Sequence, residues 1–144
     1  MLKVLIAEDD LMIAGLAEEI LIEHGYEVCG IARTVAEAVA IAQLHKPDLA
    51  VLDLRLADGG LGTEIAVQLG PDWKPGVLYA TGNVSRVMLT ATDGEACLAK
   101  PYRSVDLLRG LEIVAGIRAN GVASQPFPRG FQILSPATLP HQKS

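Results

Sequence analysis

The feature that most constrains the fold of this chain is the alternation of short apolar runs with amphipathic segments. The runs are rich in Val, Ile, Leu and Ala, which is typical of strands buried on both faces of a sheet. They are Lys3–Ala7, Glu27–Ala32, Asp48–Leu54, Gly76–Thr81 and Ala96–Ala99. Because parallel strands need crossover helices, the alternation predicts an α/β domain with a parallel sheet covered on both faces.

A predicted helix follows each run. In order, the five helical segments are residues 10–24, 34–45, 63–69, 83–92 and 104–119. Side-chain caps at Asp10, Thr34 and Ser104 are predicted to begin three of them. The apolar face of the first helix is predicted to consist of Ile13, Leu16, Ala17 and Ile20. The apolar stripe of the last comprises Leu107, Leu108, Leu111, Val114 and Ala115.

Composition excludes several classes of function. The basic residues are scattered along a chain whose net charge is −5, so we expect no direct contact with nucleic acid. No apolar run reaches the roughly 18 residues that a membrane helix needs, and the opening run is too short for a signal peptide. Two cysteines without a secretory signal predict no disulfide framework and a cytoplasmic location.

Polar side chains stand where the predicted strands end, and ligands of such sheets bind beyond these carboxyl ends. Glu8 and Asp9 follow the first run, Asp53 lies near the end of the third, and Thr81 and Lys100 follow the fourth and fifth. Clustered carboxylates favour a hard divalent cation such as Mg²⁺. A carboxylate beside a metal can attack phosphorus, while an ammonium and a hydroxyl hold the phosphoryl oxygens. Taken singly, Lys100 could be a solvated lysine and Thr81 an ordinary strand residue, so the prediction depends on their joint placement.

Four stretches, "VLIAEDD", "AVLDLRLADGGLG", "LYATG" and "CLAKP", resemble the receiver domain of two-component response regulators. They occur in order over residues 2–119, so we assign residues 1–119 to a receiver domain. The resemblance implies a flavodoxin-like fold with five parallel strands in the order 2-1-3-4-5.

The same resemblance implies a role for each residue at the strand ends. Asp53 would be the phosphoacceptor, and Mg²⁺ would be bound by Glu8, Asp9, Asp53 and the backbone carbonyl of Arg55. Thr81 and Lys100 would contact the phosphoryl group. A cis peptide bond, which only proline makes accessible at low energy, would join Lys100 to Pro101.

The partners implied are a sensor histidine kinase or phosphotransfer protein and a downstream protein target. The chain would be a phosphoacceptor signalling protein rather than an enzyme with an external substrate. A homodimer through the helix at residues 83–92, the fifth strand and the last helix is compatible with the family, but the sequence does not decide it.

One position departs from the family pattern. Cys97 stands three residues before Lys100, where receivers usually carry an aromatic switch residue. We interpret Cys97 as a small core residue, and Tyr102 cannot be assumed to replace the missing ring. The block "LYATGN" resembles the FATGUY group of receivers, which lack the switch aromatic and are typically standalone proteins. Activation is therefore expected to involve the loop after Thr81 and the helix at residues 83–92.

The segment 120–144 has a different composition, with four of the eight prolines and both phenylalanines. It is predicted to be an extended or disordered tail, with no output domain. Its apolar residues Phe127, Phe131, Ile133 and Leu134 leave two interpretations open. The tail either packs partly on its own domain, or docks on a partner or a second protomer.

Two other functions are weighed against the receiver. A phosphatase of the haloacid-dehalogenase type also uses an aspartate nucleophile with Mg²⁺, but it needs a second aspartate two residues later, where this chain has Arg55. A pseudo-receiver would fold in the same way without ever accepting phosphate. The full set of polar residues at the strand ends argues against it.

Overall fold

The computed structural model of the chain describes residues 1–71, 74–82, 89–90 and 92–134. It contains one six-stranded sheet, in the order β2-β1-β3-β4-β5-β6. The strands are β1 (Lys3–Ala7), β2 (Glu27–Ala32), β3 (Leu49–Asp53), β4 (Gly76–Thr81), β5 (Ala96–Ala99) and β6 (Phe131–Ile133). The described helices are α1 (Leu11–Glu23), α2 (Val35–His45), α3 (Gly62–Leu69) and α4 (Ser104–Asn120).

The first five strands confirm the predicted flavodoxin-like fold. All are parallel and have the predicted neighbours, with β1 between β2 and β3. The prediction of five strands was one short, because β6 pairs antiparallel with the outer edge of β5. Residues 131–133 belong to the segment predicted to be an extended or disordered tail. They form a strand of the sheet, which agrees with the interpretation that the tail packs partly on its own domain.

The sheet separates two apolar cores. Side chains of α1 and α4, including Leu21, Leu107 and Leu111, pack on one face with Val4 and Leu78. The opposite face carries α2 and α3. Its core includes Leu5, Val39, Leu52, Ile65 and Tyr79. Within the described part of the chain, no helix combines the length and apolarity needed to cross a membrane.

The helix starts follow the predicted capping in two cases out of three. The Asp10 carboxylate accepts hydrogen bonds from the backbone N–H groups of Met12 and Ile13, at 3.0 and 3.3 Å. The Thr34 hydroxyl accepts one from Glu37 N–H at 3.1 Å. Ser104 is not the cap of α4, since it is already the first helical residue.

At the start of α4, the side chain of Asp106 in the first turn binds back to the residue before the helix. Its carboxylate accepts the backbone N–H of Arg103, the residue that precedes the helix, at 3.1 Å. A carboxylate in the first turn also complements the positive end of the helix dipole.

The predicted apolar face of α1 was only partly correct. Ala14, Ala17 and Leu21 are the buried residues of this helix, whereas Leu16 is 59% exposed. The helix therefore lies on two alanines and one leucine, which leaves a larger apolar side chain in solvent.

The helix predicted at residues 83–92 lies mostly outside the described residues.

Gly62 brings the first turn of α3 against the end of β3. A Cβ atom at this position would overlap the backbone carbonyl oxygen of Asp53. The Gly62 N–H also donates to the Leu54 carbonyl oxygen at 2.9 Å. The close approach explains why the loop "ADGGLG" ends in glycine, and it positions the backbone that carries Asp53.

We predict that Gly62→Ala destabilises the protein by about 1–3 kcal/mol, because the added methyl group must displace backbone rather than a flexible side chain. Chemical denaturation measures the free energy of unfolding. Gly15→Ala is the matched control, since its Cβ would enter open space within α1. That control should stabilise the protein by roughly 0.5–1 kcal/mol through helix propensity. Equal effects of the two substitutions would contradict the packing argument.

Candidate functional site

Three carboxylates meet at the carboxyl ends of neighbouring strands. Glu8 and Asp9 directly follow β1, and Asp53 is the last residue of β3, which pairs with β1 through Ala7 and Leu52. One oxygen of each of the three carboxylates lies within 4.8 Å of the others. Hard oxygen donors at this spacing fit a divalent cation such as Mg²⁺. The parallel sheet thus brings together residues that are 45 positions apart in the chain.

Lys100 connects this cluster to the fifth strand. Its Nζ donates to Glu8 Oε1 at 2.5 Å and to Asp53 Oδ2 at 3.2 Å. The three side chains are largely shielded from water, with 6% of Glu8, 15% of Asp53 and 18% of Lys100 exposed. Two carboxylates therefore share one ammonium, and the group retains an excess of negative charge when both are ionised.

Burial and the neighbouring charges both shift the pKa values of Glu8 and Lys100. Burial raises the pKa of Glu8 to about 7, and the nearby Asp53 adds to the effect, although hydrogen bonds from Lys100 and Asp10 N–H oppose it. Burial alone would lower the pKa of Lys100, but its hydrogen bond to Glu8 and the charges of both carboxylates outweigh burial and raise it. The raised pKa of Lys100 and the raised pKa of Glu8 are consistent with each other. Lys100 stays charged beside two carboxylates, and its single positive charge does not fully compensate them.

Thr81 and Pro101 flank the same edge. Thr81 is buried at the end of β4, one residue beyond Ala80, which pairs with Asp53. The Thr81 carbonyl oxygen accepts the backbone N–H of Lys100 at 2.8 Å, which ties the ends of β4 and β5 together. The Lys100–Pro101 peptide bond is cis.

Arg55 lies two residues beyond Asp53, where its backbone pairs with Leu61 across the loop that precedes α3. Its side chain is exposed. The metal role predicted for its carbonyl oxygen stays a prediction.

Cys97 is buried, with 2% of its surface exposed. It belongs to the core on the α2 and α3 face, near Tyr79, and its Sγ lies 3.8 Å from Gln132 Oε1 of β6. Burial raises the pKa of this thiol. It therefore has the surroundings of a core residue rather than those of a reactive thiolate.

Tyr102 was not predicted to belong to the site. It is half-buried beside the core of α1 and α4. Burial raises its pKa, and the charges of Glu8 and Asp53 contribute to the shift. Its position directly after the conspicuous "KP" pair was the available signal, but a single tyrosine after a strand does not reveal which way its ring points.

Comparison with known proteins decides the family. The model of the response regulator receiver domain matches residues 4–112. The chain belongs to the response regulator receiver family. The match extends from β1 into α4, so it includes every strand end that carries a site residue.

Two regulators illustrate the relationship. The chain is 34% identical over 114 residues to the transcriptional regulatory protein PdtaR of Mycobacterium tuberculosis, covering 77% of this chain and 55% of that protein. It is 34% identical over 107 residues to the phyllosphere-induced regulator PhyR of Methylorubrum extorquens, covering 73% of this chain and 40% of PhyR. The chain thus spans about half the length of the curated relatives that it matches.

Solved receiver structures share the fold. A CheY-like receiver domain of Methanospirillum hungatei is 26% identical with a TM-score of 0.68, covering 85% of this chain and 99% of that one. PhyR of Brucella abortus is 26% identical with a TM-score of 0.64, covering 85% of this chain and 47% of PhyR. Receiver domains are signalling domains that bind Mg²⁺ at an acidic pocket, and the acidic cluster of this receiver has the donor set for that ion.

The shifted pKa of Glu8 predicts how the stability of the metal-free receiver depends on pH. The unfolded chain releases this proton near the ordinary pKa of 4.5, whereas the folded protein keeps it up to about 7. Between these values the folded state binds more protons, so the free energy of unfolding falls as pH rises. Mg²⁺ should oppose the fall, because metal binding favours the ionised carboxylate.

The measurement is chemical denaturation in EDTA at pH 5 and pH 8, with wild type, Glu8→Gln and the exposed control Glu23→Gln. Glu8→Gln should lose the component of the pH dependence that wild type and the control retain. An unchanged pH dependence in Glu8→Gln would show that another group is responsible.

Proposed function

We propose that this receiver accepts a phosphoryl group on Asp53 in a reaction that depends on Mg²⁺. The donor would be a phosphohistidine of a sensor histidine kinase or of a phosphotransfer protein. The observation that carries the proposal is the position of Asp53, which lies within 4.8 Å of two other carboxylates and accepts a hydrogen bond from Lys100. No other arrangement in the described residues combines a metal-binding donor set with a fixed cation.

The role proposed for each residue combines the contacts described above with the resemblance to receiver domains. An Asp53 oxygen attacks the phosphorus, the P–N bond to the donor imidazole breaks, and the imidazole leaves. Lys100 is already held at the carboxylate and can pair with phosphoryl oxygens as their charge develops. Bound Mg²⁺ would supply further charge compensation, with Glu8, Asp9, Asp53 and the Arg55 carbonyl as its protein ligands. The Thr81 hydroxyl would donate a hydrogen bond to a phosphoryl oxygen.

The direct test is incubation with acetyl phosphate and Mg²⁺ followed by intact-mass measurement. Wild type should gain the mass of one phosphoryl group, whereas Asp53→Asn and wild type in EDTA should gain none. Lys100→Met should slow the reaction by about 10²-fold, because it removes one charged contact to the phosphoryl group.

Other outcomes would favour the other candidate functions. An unmodified wild type with intact fold would indicate a pseudo-receiver. Sustained turnover of a phosphomonoester would indicate a phosphatase, in spite of Arg55 at the position where such enzymes need an acid.

The surface beside Asp53 supports docking of a protein donor. A groove of about 460 Å³ lies between α1 and the segment after β5, lined by residues that include Leu16, Ile20, Lys100, Pro101 and Tyr102. Met12 and Leu16 of α1 are 78% and 59% exposed. Apolar groups that border a reactive carboxylate fit a protein partner better than a small phosphodonor, which needs no such contact area.

We therefore predict that Leu16→Glu slows transfer from the cognate kinase by about tenfold, equivalent to a loss of about 1.4 kcal/mol at the docking surface. Phosphorylation by acetyl phosphate should be unchanged, because Leu16 lies outside the acidic cluster. Leu44→Glu on α2 is the matched control, with Leu44 77% exposed and absent from the residues that line the groove. A phosphotransfer profile against candidate kinases identifies the donor. Equal transfer rates for the two variants would place the docking surface elsewhere.

The relatives indicate the kind of output. One solved PhyR, from Bartonella quintana, is described as an anti-anti-sigma factor, 28% identical with a TM-score of 0.63 over 81% of this chain and 46% of that one. We propose that this receiver likewise signals through contacts with a downstream protein and acts in the cytoplasm. Its net charge of −5 with scattered basic residues supports a protein target rather than nucleic acid.

A further inference from the structure

The segment that follows α4 is fastened to the domain along its length. We call residues 121–134 the strap. The guanidinium of Arg109, in the middle of α4, donates to the Ser124 carbonyl oxygen at 2.8 Å and to the Pro126 carbonyl oxygen at 2.9 Å. Arg109 also pairs with Glu112 one turn later, which holds the guanidinium in place. The first half of the strap is therefore clamped against the helix.

The second half of the strap is part of the sheet. The Ala99 N–H donates to the Gly130 carbonyl oxygen at 2.9 Å, and the Leu134 N–H donates to the Glu95 carbonyl oxygen at 3.0 Å. Phe131 is 8% exposed and lies in the core beside Gly110 of α4, and Leu134 is 8% exposed in the core on the opposite face. The strap thus occupies the outer edge of β5 and adds one buried side chain to each core.

Two adjacent residues connect the strap to the phosphoacceptor site. Ala99 binds Gly130 on one side of β5, and the next residue, Lys100, binds the Thr81 carbonyl on the other side. The side chain of Lys100 in turn binds Asp53 and Glu8. Gly130 has a φ of +77°, and a Cβ there would lie 2.9 Å from the Ala99 Cβ, so the chain can run this close to β5 only with glycine at this position.

This connection makes the strap sensitive to movement of Lys100. A phosphoryl group on Asp53 would draw the ammonium away from Glu8, and any shift of the strand end that carries Lys100 acts on the hydrogen bond between Ala99 and Gly130. The elements beyond that hydrogen bond are weakly held, because β6 is a three-residue edge strand, the kind of element that opens most readily. Cys97 makes such a role for the strap more important, since no aromatic ring is present at that position to report the phosphoryl state.

We propose that the strap is the reporter of this receiver. It is docked when Asp53 is unmodified, and it is released from β5 when Asp53 carries a phosphoryl group. Release exposes the backbone edge of β5 and the core surface that Phe131 covers. The inference rests on the proposed function, because it requires a phosphoryl group on Asp53.

The test is amide hydrogen exchange on the full chain with and without beryllofluoride and Mg²⁺, a stable mimic of the phosphoryl group. Exchange at Leu134 and Ala99 should become about tenfold faster, within the range typical of coupling between two sites. The amides of Asp48 and Gly76, which bind the carbonyl oxygens of Lys3 and Asp48 at the opposite end of the sheet, are the controls and should not change. Asp53→Asn should abolish the response.

Leu134 is the decisive amide because its partner, Glu95, lies at the end of β5 remote from Lys100. Faster exchange at Ala99 alone would show a local effect of the site and would overturn the inference. Fluorine NMR on the same samples distinguishes failure of the proposed function from failure of the strap proposal. Absence of a bound beryllofluoride signal contradicts the proposed function, whereas a bound signal with unchanged exchange at Leu134 contradicts only the strap.

A reciprocal measurement avoids reliance on a single probe. If beryllofluoride favours release, then loosening the strap must tighten beryllofluoride binding by the same factor that couples the two events. Arg109→Gln removes the clamp on Ser124 and Pro126, and it should lower the beryllofluoride concentration needed for half saturation by several-fold. Arg118→Gln, on the same helix but paired only weakly with Asp48 at 3.9 Å, is the matched control. Equal binding by the two variants, both folded by circular dichroism, would overturn the coupling.

Discussion

The ammonium of Lys100 is the interaction on which the site depends. Glu8 and Asp53 end two neighbouring strands, and their carboxylates lie in surroundings that exclude most water. Without a cation, burial and mutual repulsion would make the charged pair unfavourable. Lys100 supplies that cation from the fifth strand, two positions along the sheet from β3. The order of the strands therefore determines the charge balance of the site, because it places Lys100 beside the two carboxylates. Mg²⁺ would compensate the negative charge that a single ammonium leaves.

The part of the fold that follows from the local pattern of apolar residues was predictable from the sequence. Five apolar runs became five parallel strands, and because such strands end at one edge of the sheet, their terminal residues Glu8, Asp53 and Lys100 were predicted to meet. The face of α1 was harder to predict, since alanine and leucine occur around the whole helix. Leu16 had the right spacing for the core, but the sheet accepts the smaller Ala14 and Ala17 instead. Which side of a helix is buried depends here on the space between the helix and the sheet, and the periodicity of the sequence does not reveal that space.

The strap shows a different limit. Phe131, Gln132 and Ile133 alternate apolar and polar side chains, as a strand should, but three residues after a proline-rich stretch give too short a pattern to separate from coil. What makes them a strand is an open edge on β5 and a clamp from Arg109, both of them distant in sequence. Gly62 belongs to the same class, because the overlap of a Cβ with the Asp53 carbonyl is visible only once α3 and β3 are placed together.

The docked strap also bears on self-association. An unpaired edge strand invites addition of another chain, and the outer edge of β5 would be such a template if residues 131–133 were absent. In the structure its backbone groups are already paired with β6. A homodimer that adds strands at β5 is therefore incompatible with a docked strap, whereas one formed through the helices that cover the sheet is not. If release accompanies phosphorylation, strand addition at this edge becomes accessible only in the phosphorylated receiver. Assembly of this kind would then depend on the state of Asp53, and it would need no aromatic switch residue.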